Sequence, residues 1–208
     1  TRDIAYATME CCSYRYNPYD KAKFEVNAHN WIDMSDEDYG VSLLNDCKYG
    51  HEVNEHKMIL TLLKAPIKPD PKSDRGDHYF TYSLYPHAET WKKAKTLERG
   101  LEINHPLVPV DIKSEGELGA DKSFITLASD SMTLEAVKKC EEEDAYIIRM
   151  VEKKGKSVDA SVKFFAPLTY AAECDLIERN DVPVEFDGDT ISFHATPFEI
   201  KNYKVKIK

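Results

Sequence analysis

The stretch YGVSLLNDCKYG, Tyr39 to Gly50, begins as an apolar strand. It then sets five hydrogen-bonding or ionisable side chains in a row: Asn45, Asp46, Cys47, Lys48 and Tyr49. Val41, Leu43 and Leu44 ask for a buried strand, and Gly50 closes the polar run with a turn residue. From residue types alone two readings stand level. One is a strand that ends in a turn; the other is a loop that contacts a ligand.

Other groupings offer less. His51 and His56, with Glu52 or Glu55 beside them, are five positions apart, which stacks on no helix face and matches no zinc signature. That pair reads as a solvated hairpin tip. Asp70, Asp74 and Asp77 in PDPKSDRGDH lack the alternating carboxylates and distal glutamate of a calcium loop, so a turn-rich surface loop is expected. No G-x-S-x-G, H-E-x-x-H, G-x-G-x-x-G or P-loop motif occurs. Aromatic residues make up 11% of the chain, most of them at positions expected to face inward along strands, where filling the core is their ordinary role. Trp31 and Trp91 stand outside that pattern and are candidates for an exposed platform.

The elements that must position these residues follow a period of two. In KAKFEVNAH, Phe24, Val26 and Ala28 share a face; in SVDASVKFF, Val158, Ala160, Val162 and Phe164 do. KMILTLLK (57–64), HYFTYSLYP (78–86) and Ile4 to Cys12 also read as strands. Asp187-Gly188 signals a type I′ hairpin between VPVEF and DTISF, and Gly155 a second one between AYIIRMVE and SVDASVKFF. The apolar phase of FEIKNYKVKI slips by one residue, which suggests a bulge near Asn202. Helix is scarce: Glu89 to Gly100 offers about three turns ended by Gly100, and the first half of TLEAVKKCEEE leans to strand.

These signals predict an all-β chain built of antiparallel sheets. Residues 1–115 form part of a large β-sandwich, 116–122 a polar linker, and 123–208 a smaller terminal β-sandwich. The 208 residues are 42% apolar and 31% charged, enough for real cores. A net charge of -9 disfavours nucleic-acid and anionic-membrane partners, and no apolar run approaches the roughly 20 residues that span a bilayer. Five scattered cysteines and no N-x-[ST] sequon point to a reducing, cytoplasmic setting. The chain opens on Thr1, and a strand with nothing before it to pair suggests a piece of a longer polypeptide.

YNPYDKAKFEVNAHNWIDMSDEDYGVSLLNDCKYG, followed by PDPKSDRGDHYFTYSLYPH, resembles the C-terminal region of glycoside hydrolase family 38 α-mannosidases, in the branch of bacterial and cytosolic enzymes. YNPYD departs from the family's usual Asn-Thr-Ser-Trp-Asp. VKKCEEEDAYIIRMVEKKGKSVDASVKF and HATPFEIKNYKV are similar to its terminal β-domain. The resemblance implies retaining hydrolysis of terminal α-mannosides by a zinc-bearing catalytic barrel in the same polypeptide. The family's His-x-Asp zinc motif is not in this chain, so it implies no catalytic residue, metal ligand or cofactor here, and an inactive fragment. By position in the motif, Asn45, Asp46, Lys48 and Tyr49 are the implied substrate-binding residues, on a loop that borders the sugar site. Two other roles stay open: an autonomous carbohydrate-binding module, and an interaction domain that builds a homo-oligomer.

Overall fold

The computed structural model describes residues 1–112, 116–119 and 121–208. The chain is all-β, with 41% strand and 7% helix, and every strand pairing among the described residues is antiparallel. It divides into two compact units, Thr1–Pro109 and Val110–Lys208. Of the segment expected to link them, 116–122, residue 120 lies outside the described residues.

The first unit has a five-stranded sheet. Its strands are β1 (Arg2–Ile4), β2 (Ala7–Met9), β4 (Trp31–Ser35), β5 (Tyr39–Asn45) and β8 (Tyr82–Ala88), in the order β2-β1-β4-β5-β8. A three-stranded sheet holds β3 (Val26–Asn27), β6 (Gly50–Asn54) and β7 (Lys57–Leu60) in the order β3-β6-β7. Two helices, α1 (Pro18–Ala22) and α2 (Thr96–Asn104), complete it. The single strand expected over Ile4 to Cys12 is instead a hairpin turning at Tyr6, whose φ is 58°, and β1 finds its neighbour in β4. Of KAKFEVNAH only Val26–Asn27 is strand, and Phe24 is exposed.

Successive side chains on a strand point to opposite faces, and β4 and β5 bury both. Ile32 and Leu43 pack with Ala28, Val53, Met58 and Leu60, where the three-stranded sheet meets the larger one. Their neighbours Trp31 and Leu44 pack on the other side with Trp91, Leu97, Tyr85 and Leu101. The double apolar letters Trp31-Ile32 and Leu43-Leu44 are thus two cores read from one strand each.

Gly100 does not end the helix; it lies inside α2. A β-carbon there would sit 2.7 Å from Cδ1 of Trp31, so the glycine lets the helix backbone close onto the tryptophan. The start is set at Lys95, in the left-handed region with φ 58°. Alanine in a helix interior ordinarily gains roughly 1 kcal/mol over glycine. Gly100→Ala should do the reverse, losing about 1–2 kcal/mol, because overpacking a filled core costs about 1–3 kcal/mol. Urea unfolding followed by tryptophan fluorescence measures this, and a stabilised variant would contradict the close approach.

The second unit pairs two sheets. One holds β10 (Met132–Lys139), β11 (Tyr146–Glu152), β16 (Ile200–Ile207), β13 (Leu168–Glu173) and β14 (Val182–Pro183), in that spatial order. The other runs β15 (Thr190–Ala195), β12 (Val158–Phe164), β9 (Ile125–Leu127). Between them lie Met150, Val162, Phe164, Ile191, Tyr203 and Val205. The inward set foreseen for SVDASVKFF holds, with Ala160, Val162 and Phe164 buried and Val158 packed against them.

Three local expectations are corrected here. Gly155, with φ 70°, does turn the chain, but it carries it from one sheet to the other, since β11 and β12 are not partners. At Asp187-Gly188 the turn forms with a single bridge, Asp187 to Thr190. Only Gly188 of its two central residues has positive φ, and β14 pairs with β13 instead of β15. The β11–β16 register runs unbroken through Arg149 and Asn202, so no bulge lies there. The phase slip arises because β16 is buried on both faces, with Tyr203 and Val205 in the core and Asn202 and Lys204 buried opposite. The register shifts fall between Leu134 and Ala136 and between Leu168 and Tyr170.

Candidate functional site

The polar run after β5 folds back on itself around Asn45. That residue is 1% exposed; its amide nitrogen donates to the His29 carbonyl at 2.8 Å, and its Oδ1 accepts the Lys48 backbone N–H at 2.7 Å. The Asn104 amide at the end of α2 donates to the Asn45 carbonyl at 3.0 Å. Asn45 is therefore the pin of the loop and offers little to solvent.

Asp46 ties the loop to a second segment. Its backbone N–H donates to the Thr81 carbonyl at 3.2 Å, and its Oδ2 accepts the Thr81 N–H at 2.9 Å. The Cys47 thiol beside it, and then the Thr81 N–H, hold the Asp46 carboxyl below the usual carboxylate range. Asp46 in turn pushes the Cys47 thiol up, which keeps it a poor nucleophile. The Lys48 ammonium lies 4.9 Å above the Phe80 ring, a cation–π contact that holds the side chain while leaving its donors free. Tyr49 is 54% exposed and meets the His29 ring edge-on at 5.7 Å.

Of the four, Tyr49 is exposed and Lys48 half-buried over Phe80, while Asn45 is buried and Asp46 has one carboxylate oxygen bonded to Thr81 and the other shielded from solvent. Sequence reasoning missed the second segment, Tyr79 to Tyr82. Its signal was there in HYFTYS, where three aromatic residues crowd the start of a strand.

Other candidates resolve differently. Trp31 and Trp91 are no platform: they are 0% and 5% exposed, with ring centroids 5.0 Å apart. The placement of most aromatics inward also fails, since Tyr16, Tyr19, Tyr39, Tyr79 and Tyr82 all stand well exposed. His51 is not at a solvated tip; it is fully buried on β6, where desolvation lowers its pKa, while His56 occupies the turn before β7. In the 69–78 loop Asp70 accepts the Lys72 N–H at 2.8 Å, as turn residues do, and the Asp74 carboxylate accepts the Ala65 N–H at 2.8 Å, which ties the loop to the chain before it. Among the described residues no three His, Cys, Asp or Glu gather as a metal ion needs.

Residues 1–72 match the family 38 glycosyl hydrolase C-terminal domain, and residues 131–203 match that family's C-terminal β-sandwich domain. Together these cover more than two thirds of the chain. The chain belongs to glycosyl hydrolase family 38. Alpha-mannosidase 2C1 of Mus musculus is 30% identical over 207 residues, which is 97% of this chain and 20% of that protein. Alpha-mannosidase 2C1 of Homo sapiens is 34% identical over 184 residues, 87% of this chain and 18% of that protein. The chain thus spans about a fifth of the length of these relatives. A family 38 crystal structure from Enterococcus faecalis superposes with a TM-score of 0.74 at 17% identity. It covers 99% of this chain and 24% of that one, and shows the same fold. Within family 38, both matched domains are C-terminal ones.

Proposed function

We propose that this chain is the non-catalytic C-terminal β-region of a zinc-dependent, retaining α-mannosidase that hydrolyses terminal α-D-mannosides. The chemistry belongs to a catalytic barrel in the same polypeptide, and this region supports the barrel and lends a loop to its sugar site. The observation that carries the reading is the match over 97% of this chain to a fifth of an α-mannosidase, in domains that are C-terminal in the family. Within that reading Lys48 donates charge-assisted hydrogen bonds to sugar hydroxyls or to a neighbouring carboxylate. Tyr49, exposed on the same loop, is placed at the sugar with it, and Asn45 and Asp46 hold the loop in shape. Scattered, unpaired cysteines support a cytoplasmic setting.

The sheet of the first unit also supports a missing neighbour. Leu84 pairs with Leu43 across β8 and β5, yet Leu84 is 66% exposed while Leu43 is 5%. Tyr82, also exposed, extends this apolar strip along β8. We assign the strip to contact with the rest of the polypeptide, whose relatives are some five times longer.

Lys48→Ala in the full polypeptide tests the role of the loop. A lost charged hydrogen bond of about 1.5–3 kcal/mol lowers kcat/KM roughly ten- to a hundredfold. Stability should stay within about 0.5 kcal/mol, as for most surface truncations. Unchanged kinetic constants would reduce the loop to a strand end. The second reading, an autonomous carbohydrate-binding module, draws on the exposed, stacked rings of Tyr14 and Tyr16, 5.7 Å apart. Binding of methyl α-mannoside to this chain alone would favour it.

A further inference from the structure

We propose that the stretch of polypeptide directly before Thr1 continues β1 along the edge of β4 and fills the cleft beside it. The proposal rests on the α-mannosidase reading above, in which this chain follows a catalytic barrel. It names one seat on the first unit for that preceding segment. The segment is taken from the relatives: this chain matches 20% of the mouse protein, in domains that are C-terminal in the family.

An antiparallel ladder that stops short carries the inference. Arg2 stands opposite Ile32. One step on, Thr1 and Asp33 exchange both backbone bonds. The Asp33 N–H donates to the Thr1 carbonyl at 2.8 Å, and the Thr1 nitrogen donates to the Asp33 carbonyl at 2.8 Å. Bonded and non-bonded pairs alternate along such a ladder. Met34 therefore comes next as a non-bonded position, and Ser35 after it turns its N–H and C=O towards the β1 side. On their other edge Met34 and Ser35 face Val41 and Gly40 of β5. Among the described residues no strand stands opposite either of them on the β1 side. Backbone donors and acceptors on a sheet edge need such a partner.

A cleft of about 380 Å³ opens at the same place, with Met9, Cys11, Cys12, Met34, Ser35 and Val53 in its lining. Opposite residues of a ladder share a face. Arg2 thus shares one with Ile32, which packs near Val53 of the other sheet. By alternation Met34 lies on that face too, and the residue directly before Thr1 points with it into the cleft. Two residues of strand advance about 7 Å, enough to pass Met34 and reach Ser35. One short segment thereby meets both needs, with backbone for the edge and a side chain for the cleft.

The test uses the full polypeptide, with Cys11→Ser and Cys12→Ser to remove the thiols of the cleft. Met34→Cys is combined with a cysteine in place of the residue directly before Thr1. A non-bonded pair brings its Cα atoms to about 4.5 Å, within the span of a disulfide. Mild oxidation should therefore link the two positions within one chain. Ser35→Cys, one residue out of register and on the opposite face, should link roughly tenfold less or worse. Hydrogen exchange on the unmodified polypeptide gives a reading that no variant can disturb. Its Ser35 amide should exchange roughly tenfold or more slowly than in this chain alone. A link through Ser35→Cys instead, a link between two copies, or equal exchange overturns the proposal. α-Mannoside turnover by the unmodified polypeptide separates the two ideas. Turnover with no link removes the strand and leaves the reading standing; a link with no turnover does the reverse.

Discussion

Replacing His87 by alanine should cost the first unit about 3–5 kcal/mol of stability, through the cavity that a deleted buried ring leaves and the buried hydrogen bond lost with it. His87 Nε2 meets Asp33 Oδ2 at 2.7 Å, with both side chains almost wholly buried. The same carboxylate takes the Ser42 hydroxyl at 2.7 Å and the Ser35 hydroxyl at 2.5 Å, and Ser42 reaches Thr96 at 2.8 Å. That last bond joins the sheet to the start of α2. Without the ring, Asp33 keeps two hydroxyl donors and loses its principal partner, in a place water enters poorly. The ring also fills the space above Gly40, where a β-carbon would lie 2.3 Å from it, so its loss leaves a cavity.

Tryptophan fluorescence reads this unit selectively, because both tryptophans of the chain, Trp31 and Trp91, lie within it. In urea the midpoint should fall steeply for His87→Ala. Asp33→Asn combined with it should cost less than the two single losses added together, since the pair is already broken. A loss under about 1 kcal/mol would mean that the pair contributes no more than an ordinary hydrogen bond.

A comparable loss is expected in the second unit from Glu152→Ala, on the order of 3–5 kcal/mol, through orphaned backbone donors. Glu152 is fully buried. One carboxylate oxygen accepts the Lys154 N–H at 2.8 Å; the other accepts Gly155 at 2.8 Å, Phe198 at 3.0 Å and Lys156 at 3.2 Å. A single side chain thus closes the turn after β11 and fastens it to the approach to β16. Alanine leaves all four donors unmet. Glutamine keeps one carbonyl oxygen for the side that takes three of them, so its loss should be clearly smaller. Amide hydrogen exchange in β11, β12 and β16 measures both, and equal effects for the two variants would show that packing, and not the carboxylate, holds the turn.

Much of the sheet structure was legible because a period of two is a local property. The alternation of SVDASVKFF named the buried residues of β12 correctly, and apolar or β-branched runs, read by residue type, marked the strands β5, β7 and β10. Alternation erred at β16, which is buried on both faces. There Tyr203 and Val205 on one face and Asn202 and Lys204 on the opposite one are all buried, and alternation then reads as a slip. The glycines misled in a related way. Gly100 resembled a helix stop and is a close-approach site, because its meaning depends on Trp31, 69 positions earlier.

The site divides along the same line. The opening residues Asn45 to Tyr49 could be singled out from their types alone, and the family from long, specific blocks of letters. Which of them face solvent could not. Asn45 looks as available as Lys48 in the sequence, but its partners are His29, Lys48 and Asn104, which only the folded chain brings around it. Trp31 and Trp91 were sought at the surface and are buried against each other, since burial of a large ring is decided by what packs on it. By itself, then, the sequence determined the all-β class, the strand periods and the family, all carried by short-range order along the chain. The tertiary structure alone decided which sheet each strand joins, which polar side chains are pins, and that Lys48 lies over Phe80, because those depend on contacts between residues far apart in the chain.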